Sequence, residues 1–270
     1  MSINREEADV GALVNEFMQI YIQRPILTNV GGMGLNHSFA LWRVLRELQP
    51  TLVAESGVFK GHSTWLIREA LPNCQIVSFD INFINREFVD PGATYVESDF
   101  RDFDWSASKS DGAWLAFFDD HQNHLDRLKS AHWFGFDFAL LEDNYPPGQG
   151  DFYSLRHMAA GQGMPSIQLS KEYLGSGRER RARTRLETTL WGEYWAQTRL
   201  VRPNLNDYKS VLRKVRTIQE LSPLWLEEVS MFGCPYSDFD PLPPEPILAS
   251  RLDGEFDYSY NFITLVEFLR

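Results

Sequence analysis

Apolar and polar positions change period several times along the chain. Val10, Leu13, Val14, Phe17, Met18 and Tyr21 recur at helical spacing and predict a helix over residues 6–23, which Pro25 ends. Phe39, Leu41, Trp42, Leu45 and Leu48 predict a second helix, begun at Asn36 or Ser38 and stopped by Pro50. Thr51-Leu52-Val53-Ala54 then runs apolar into Glu55, as a strand would. Trp65, Leu66, Ile67, Ala70 and Leu71 return to the helical period, and Gln75 to Phe79 reads as a second strand ending in Asp80. Ala93 to Glu97 is a short third strand. Ala113 to Phe118 and Phe136 to Leu141 are unbroken apolar runs, the mark of parallel strands covered on both faces, with a helix from Gln122 to Trp133 between them.

Beyond Pro146 the pattern is less regular. Asp151 to Ala160 reads as helix, and so does Tyr208 to Leu221, with Val211, Leu212, Val215 and Ile218 as its stripe. Ile247 to Leu252 and Tyr258 to Leu269 read as closing strands with Gly254 in the turn between them. The alternation of strand and helix predicts one α/β domain over residues 1–270, built on a Rossmann-like, mostly parallel, seven-stranded sheet. Residues 1–50 form an N-terminal helical cap, 51–150 a cofactor-binding core, 151–245 a helical insertion over the substrate, and 246–270 the closing strands.

The chemistry gathers at the ends of the predicted strands. In ESGVFKGHST, residues 55–64, a strand runs into Gly57 and Gly61 and then into a helix. Gly57 permits a sharp turn, and Gly61 permits close approach of backbone to a ligand. Ser63 or Thr64 is expected to cap the helix, whose free N–H groups suit a carboxylate. The spacing G-x-x-x-G is not the dinucleotide fingerprint G-x-G-x-x-G, and Lys60 precedes Gly61 instead of following it as in a P-loop. The turn therefore points away from NAD and ATP. Asp80 is placed to accept the two hydroxyls of a ribose, and Asp99, after the third strand, to meet an adenine amino group or simply to sit in a solvated loop. The two apolar runs discharge into Asp119-Asp120-His121 and Glu142-Asp143-Asn144. Either acidic cluster alone could serve only to cap the next helix. Together, Asp120, Asp143 and Asn144 could hold one hard divalent cation such as Mg2+.

Composition narrows the classes. A hydrophobic fraction of 43% and an aromatic fraction of 14% suffice for a large core. The net charge of -11 argues against general nucleic-acid binding. Two cysteines, Cys74 and Cys234, make neither a disulfide framework nor a metal cluster and suit a reduced cytoplasmic setting. MSINREEADV does not read as a secretory leader, and no apolar run has the length of a membrane span. The glycines at 31, 32 and 34 read as a connector or as a flap over a site. The arginines at 178, 180, 181, 183 and 185 read as a solvated face or as a guide for an acidic partner. Trp191, Tyr194 and Trp195 read as the wall of a ring-binding site or as packing.

The order ESGVFKGHST, Phe79-Asp80, Phe118-Asp119-Asp120-His121 and Glu142-Asp143-Asn144 resembles class I S-adenosylmethionine (SAM) methyltransferases. Within them it resembles the cation-dependent O-methyltransferases of the catechol O-methyltransferase type, over residues 51–145. The resemblance implies that Glu55, Gly57, Gly61 and Ser63 hold the methionine part of SAM, with Phe59 in the same cofactor set. It implies that Asp80 takes the ribose, that His121 lies against the cofactor, and that Asp120, Asp143 and Asn144 bind the metal, with Asp119 as the alternative if the strand ends one residue earlier. The chain departs from that pattern at Asn123, where the family carries a lysine base; His124, one residue on, is the substitute candidate. The expected activity is methyl transfer from SAM, assisted by Mg2+ or another hard divalent cation, to a hydroxyl of a small phenolic, sugar or natural-product metabolite. No nucleic acid or membrane is expected as partner, and a homodimer is left open. The alternatives are a non-catalytic or regulatory SAM-fold protein, or a metal-dependent hydroxylase or hydrolase on the same sheet.

Overall fold

The computed structural model describes residues 8–29, 31–108, 111–145, 152–160, 205–221 and 262–270. Helices α1 (Ala8–Tyr21) and α2 (Leu35–Leu48) lead into β1 (Leu52–Ser56) and α3 (His62–Ala70). Then come β2 (Gln75–Asp80), β3 (Ala93–Glu97), β4 (Trp114–Phe118), α4 (His124–Trp133), β5 (Phe138–Leu141) and α5 (Leu155–Ala159). Helix α6 (Leu205–Leu212) and strands β6 (Val215–Glu220) and β7 (Thr264–Phe268) complete the described elements.

The seven strands form one sheet in the order β3-β2-β1-β4-β5-β7-β6. The five from β3 to β5 are parallel, and β7 runs antiparallel to both β5 and β6. The chain builds outward from β1 to β3, then returns to add β4 on the other side of β1. That reversal makes the carboxyl ends of β1 and β4 the switch point, where an open α/β sheet has its ligand crevice.

Both faces of the sheet are covered, which is why β4 and β5 read as unbroken apolar runs. Val53, Ile76, Leu115, Phe117 and Leu140 pack under α1, α2 and α3. Ala54, Val77, Phe79, Ala116, Phe118, Ala139 and Leu141 pack on the other side, with α4 and the aromatic group of Phe100, Trp105 and Phe136. Each fully buried Val, Ile, Leu or Phe among them contributes about 1.5–3 kcal/mol. On the cap, the rings of Phe17 and Phe39 meet edge-on at 5.2 Å, and Trp42 lies 5.6 Å from Phe17.

The structure revises the sequence reading at several points. Tyr208 to Leu221 is helix only to Leu212; Val215–Glu220 is strand β6, with a register shift against β7 between Val215 and Thr217. Val215 and Ile218, three residues apart as in a helix, pair with Phe268 and Val266, because the shift takes up the extra residue. Neither Ser63 nor Thr64 caps α3: Gly61 does, at φ +93, because both hydroxyls lie inside the helix, around Glu55. Gly34 caps α2, and the hydroxyl of Ser38 donates back to its carbonyl at 2.7 Å. The strand expected over 247–252, the arginine run at 178–185 and the aromatic group at 191–195 lie outside the described residues. No helix among the described residues is long and apolar enough to cross a membrane.

Candidate active site

The glycine turn is shaped by its neighbours. Gly57 takes φ +96, and a Cβ there would stand 2.0 Å from the carbonyl oxygen of Asp119. At Gly61 a Cβ would stand 2.6 Å from the carbonyl oxygen of Phe88. Between them Phe59, half exposed, is itself left-handed at φ +47. The N–H groups of Val58 and Phe59 donate to Asp80 Oδ2 at 3.0 and 3.1 Å, and that of Asn82 donates to Oδ1 at 3.3 Å. Asp80 therefore shapes the turn as well as standing at the end of β2.

Glu55 is buried at the end of β1, where the hydroxyls of Thr64 and Ser78 donate to its Oε2 at 2.6 and 2.5 Å. Burial pushes its carboxyl up, against the pull of the Ser63, Ser78 and Thr64 hydroxyls. Its other oxygen, Oε1, is buried without a hydrogen bond from the described residues. An ammonium group entering the crevice would satisfy it.

The acids at the ends of β4 and β5 divide into two sets. Asp119, His121 and Asp143 each offer one ligand atom, all within 4.8 Å of one another. Burial, together with the nearby carboxyl of Glu142, pushes both Asp119 and Asp143 well above the usual carboxylate range. Among the described residues no Lys or Arg pairs with either. Asp143 is held at φ +59 and His121 at φ +52. No N–H or hydroxyl among the described residues donates to the buried Asp143 Oδ1. Hard oxygens carrying more negative charge than their surroundings neutralise suit Mg2+ or a similar cation.

Asp120 belongs to the second set. Its Oδ2 accepts from Ser56 Oγ at 2.5 Å and pairs with Arg127 at 2.8 Å, and its Oδ1 accepts from the N–H of Gln122. Arg127, 4% exposed on its side chain, also makes a two-pronged pair with Asp99 at 2.8 and 3.0 Å. Burial opposes the charges of this set, yet the Arg127 and Arg101 guanidiniums hold Asp99 well below the usual range, and Asp120 and Asp99 in turn raise Arg127. The expected ligand Asp120 is thus turned to an arginine, because Asp119, one residue earlier, occupies the place facing Asp143. Asp99 is likewise paired with Arg127 and Arg101. Arg127 was invisible as a site residue in the sequence, where it reads as one more charge on a helix.

Asn144 is buried with both ends of its amide engaged: Nδ2 donates to Thr264 Oγ1 at 2.7 Å, and Oδ1 accepts from the N–H of Arg156 at 3.0 Å. It ties β5 to β7 and to α5. Asn123 caps α4, accepting from the N–H of Leu125 at 2.9 Å. His124 is 2% exposed, and its Nδ1 accepts from the N–H of Leu155 at 3.2 Å. Burial lowers its pKa to about 3, against a bond to the backbone of Glu142. It packs against Phe152 with 4.9 Å between ring centres, so the expected substitute base is a core residue. His121 remains at the surface, with Nε2 3.7 Å from Asp143 Oδ2.

No protein-family signature matches the chain, and no curated protein does. Solved structures resemble it distantly. CmcI bearing Mg and SAM is 21% identical over 52% of this chain and 59% of its own, with a TM-score of 0.35. The SAH-bound methyltransferase PaMTH1 of Podospora anserina is 13% identical over 100% of this chain and 98% of its own, at 0.43. The plantazolicin methyltransferase BpumL, solved with a triazolic desmethylPZN analogue and SAH, is 13% identical over 98% of this chain and 100% of its own, also at 0.43. The chain spans 51–59% of the length of the CmcI structures it matches. At such identities and scores the functional reading stands on this chain's own strand order and residues.

Proposed function

We propose that this chain, whose strand order is that of the class I methyltransferase fold, is a SAM-dependent O-methyltransferase acting on a small hydroxylated metabolite with the help of a divalent cation. The observation that carries the reading is the contact of the glycine turn with the acid rim: Gly57 lies against the backbone of Asp119, at the switch point of the sheet.

When bound, SAM would supply an electrophilic methyl group, and the cation would supply positive charge that favours loss of the acceptor's proton. The protein's own part is mainly positioning and electrostatics. Glu55 Oε1 is an acceptor for the ammonium of the methionine part, and the N-terminus of α3 suits its carboxylate. Asp80, with Oδ2 bonded to the turn, keeps capacity on Oδ1 for a ribose hydroxyl. Asp119 and Asp143 would hold the cation, with His121 at its exposed side. Neither Asn123 nor His124 is placed to take the acceptor's proton, which leaves deprotonation to the electrostatics of the rim.

That last point favours one second reading, a SAM-binding protein without turnover. Calorimetric titration of the full chain with SAM and with its demethylated product tests the shared premise. Binding is expected, weakened about 10- to 100-fold in Glu55→Gln, which removes a charge-assisted hydrogen bond; no heat from either ligand would overturn both readings. Methyl transfer to a panel of phenols and sugars, abolished by a chelator, would decide for the enzyme.

A further inference from the structure

We infer that His37, on the cap helix α2, is a positioning residue for the cation site: through Glu142 it fixes the end of β5 on which Asp143 stands. The inference rests on the reading of the rim as a cation site.

The geometry fixes the proton on the ring. The N–H of Phe262 donates to His37 Nε2 at 2.9 Å, so that nitrogen is a bare acceptor. The ring's proton then sits on Nδ1, which donates to Glu142 Oε1 at 2.5 Å. His37 is 1% exposed, and burial lowers its pKa to about 4, against the pull of Asp143, in keeping with a neutral ring that donates. The partners lie 105 residues apart in sequence, so the bond joins the N-terminal cap to the heart of the sheet.

The same backbone grips the next residues of the rim. Phe262 accepts from the N–H of Asn144 at 2.5 Å, and the Asn144 side chain is held by Thr264 and Arg156. Glu142 is thus pinned by His37 and Asn144 by the approach to β7. Asp143, between them, stands at φ +59 with Oδ1 receiving no hydrogen bond from the described residues. A left-handed aspartate is strained and persists only where its surroundings over-determine it. Here the surroundings are two clamps that aim a carboxylate at Asp119 and His121. Hydrogen bonds that orient a metal's carboxylates commonly govern affinity by about 10- to 100-fold.

The test uses the full chain without SAM or acceptor, with Mn2+ as probe and free Mn2+ read by its electron paramagnetic resonance signal. His37→Leu removes the donor, and its Mn2+ affinity is expected to fall about 10- to 100-fold. His37→Asn, whose amide nitrogen takes the place of Nδ1, should recover most of the loss. His37→Gln, whose nitrogen falls nearer Nε2, should not, and this pair decides the matter if His37→Leu does not fold. Leu41→Ala, a packing loss on the same helix, should lower the melting temperature and leave Mn2+ affinity at the wild-type value. Wild-type affinity in both His37→Leu and His37→Gln would overturn the inference and spare the cation site. Failure of the wild-type protein to bind Mn2+ would overturn the cation site and the inference with it.

Discussion

A methyl group on Gly57 would stand 2.0 Å from the carbonyl oxygen of Asp119. The glycine turn and the acid rim are therefore built against each other, and neither can shift alone. Gly57→Ala combines left-handed strain with a backbone collision and should cost about 2–5 kcal/mol, read from the midpoint of denaturant unfolding. Gly31→Ala is the control. Its φ is +83, but nothing lies within 4 Å of the added carbon. It should cost only the strain, about 1 kcal/mol.

Arg127 bridges Asp99 and Asp120, and with them the ends of β3 and β4. Arg127→Met leaves two carboxylates facing each other without their cation. Because Asp99 keeps some solvent, the loss should be about 2–4 kcal/mol. Asp99 contributes stability that is present above its unfolded pKa and lost as pH falls. Thermal unfolding of Arg127→Met should therefore show a shallower decline on the acid side than wild type.

Three buried histidines set a second pH dependence. The pKa of His37 is lowered to about 4, and those of His62 and His124 to about 3, in each case chiefly by burial. The unfolded chain binds their protons near pH 6.5 and the folded chain does not. Their contribution is therefore fully present above pH 6.5 and is lost as pH falls to about 4 for His37 and about 3 for His62 and His124. Each accounts for about 2 kcal/mol by pH 5. Denaturation at pH 7.5, 6 and 5 should show that loss, and His62→Gln should make it smaller.

The rim acids carry the opposite sign. Asp119 and Asp143 hold their protons more tightly in the fold than in the unfolded chain. Without a cation, their contribution is present at low pH and is lost as pH rises through their raised values. A divalent cation removes the penalty, so the rise in melting temperature on adding Mg2+ should be larger at pH 8 than at pH 6. Asp143→Asn should abolish that response. Asp120→Asn should lower stability through its lost pair with Arg127 and keep the response, which separates the two adjacent aspartates.

The sequence made the turn and the succession of β1 to β5 along the chain readable, because ESGVFKGHST changes period at two glycines and β1, β4 and β5 are apolar runs. It did not decide between Asp119 and Asp120. Trp114 to Phe118 is apolar without alternation, so the face on which each following residue falls is not encoded locally. In the fold the N–H of Asp119 still donates to Ser56 at 2.8 Å, which carries the ladder one residue beyond β4 and sets the alternation. Nor does the sequence show that Asn144 is held by Thr264, 120 residues away. His37 and Arg127 were missed for the same reason: nothing near them in sequence distinguishes a buried donor from a polar residue on a helix. His124 looked available because burial by Phe152 and Leu155 comes from a different segment.

If a sulfonium donor and a hard cation share the rim formed by Gly57, Asp119 and Asp143, Mn2+ must lie close to the methyl group of bound SAM. The carbon-13 resonance of SAM labelled at that methyl, bound to the full chain and titrated with Mn2+, reads this distance. Strong paramagnetic broadening of the bound methyl signal is expected, reversed by excess Mg2+ and absent in Asp143→Asn. A bound methyl signal that stays sharp with Mn2+ present, or SAM that does not bind, would contradict the shared rim.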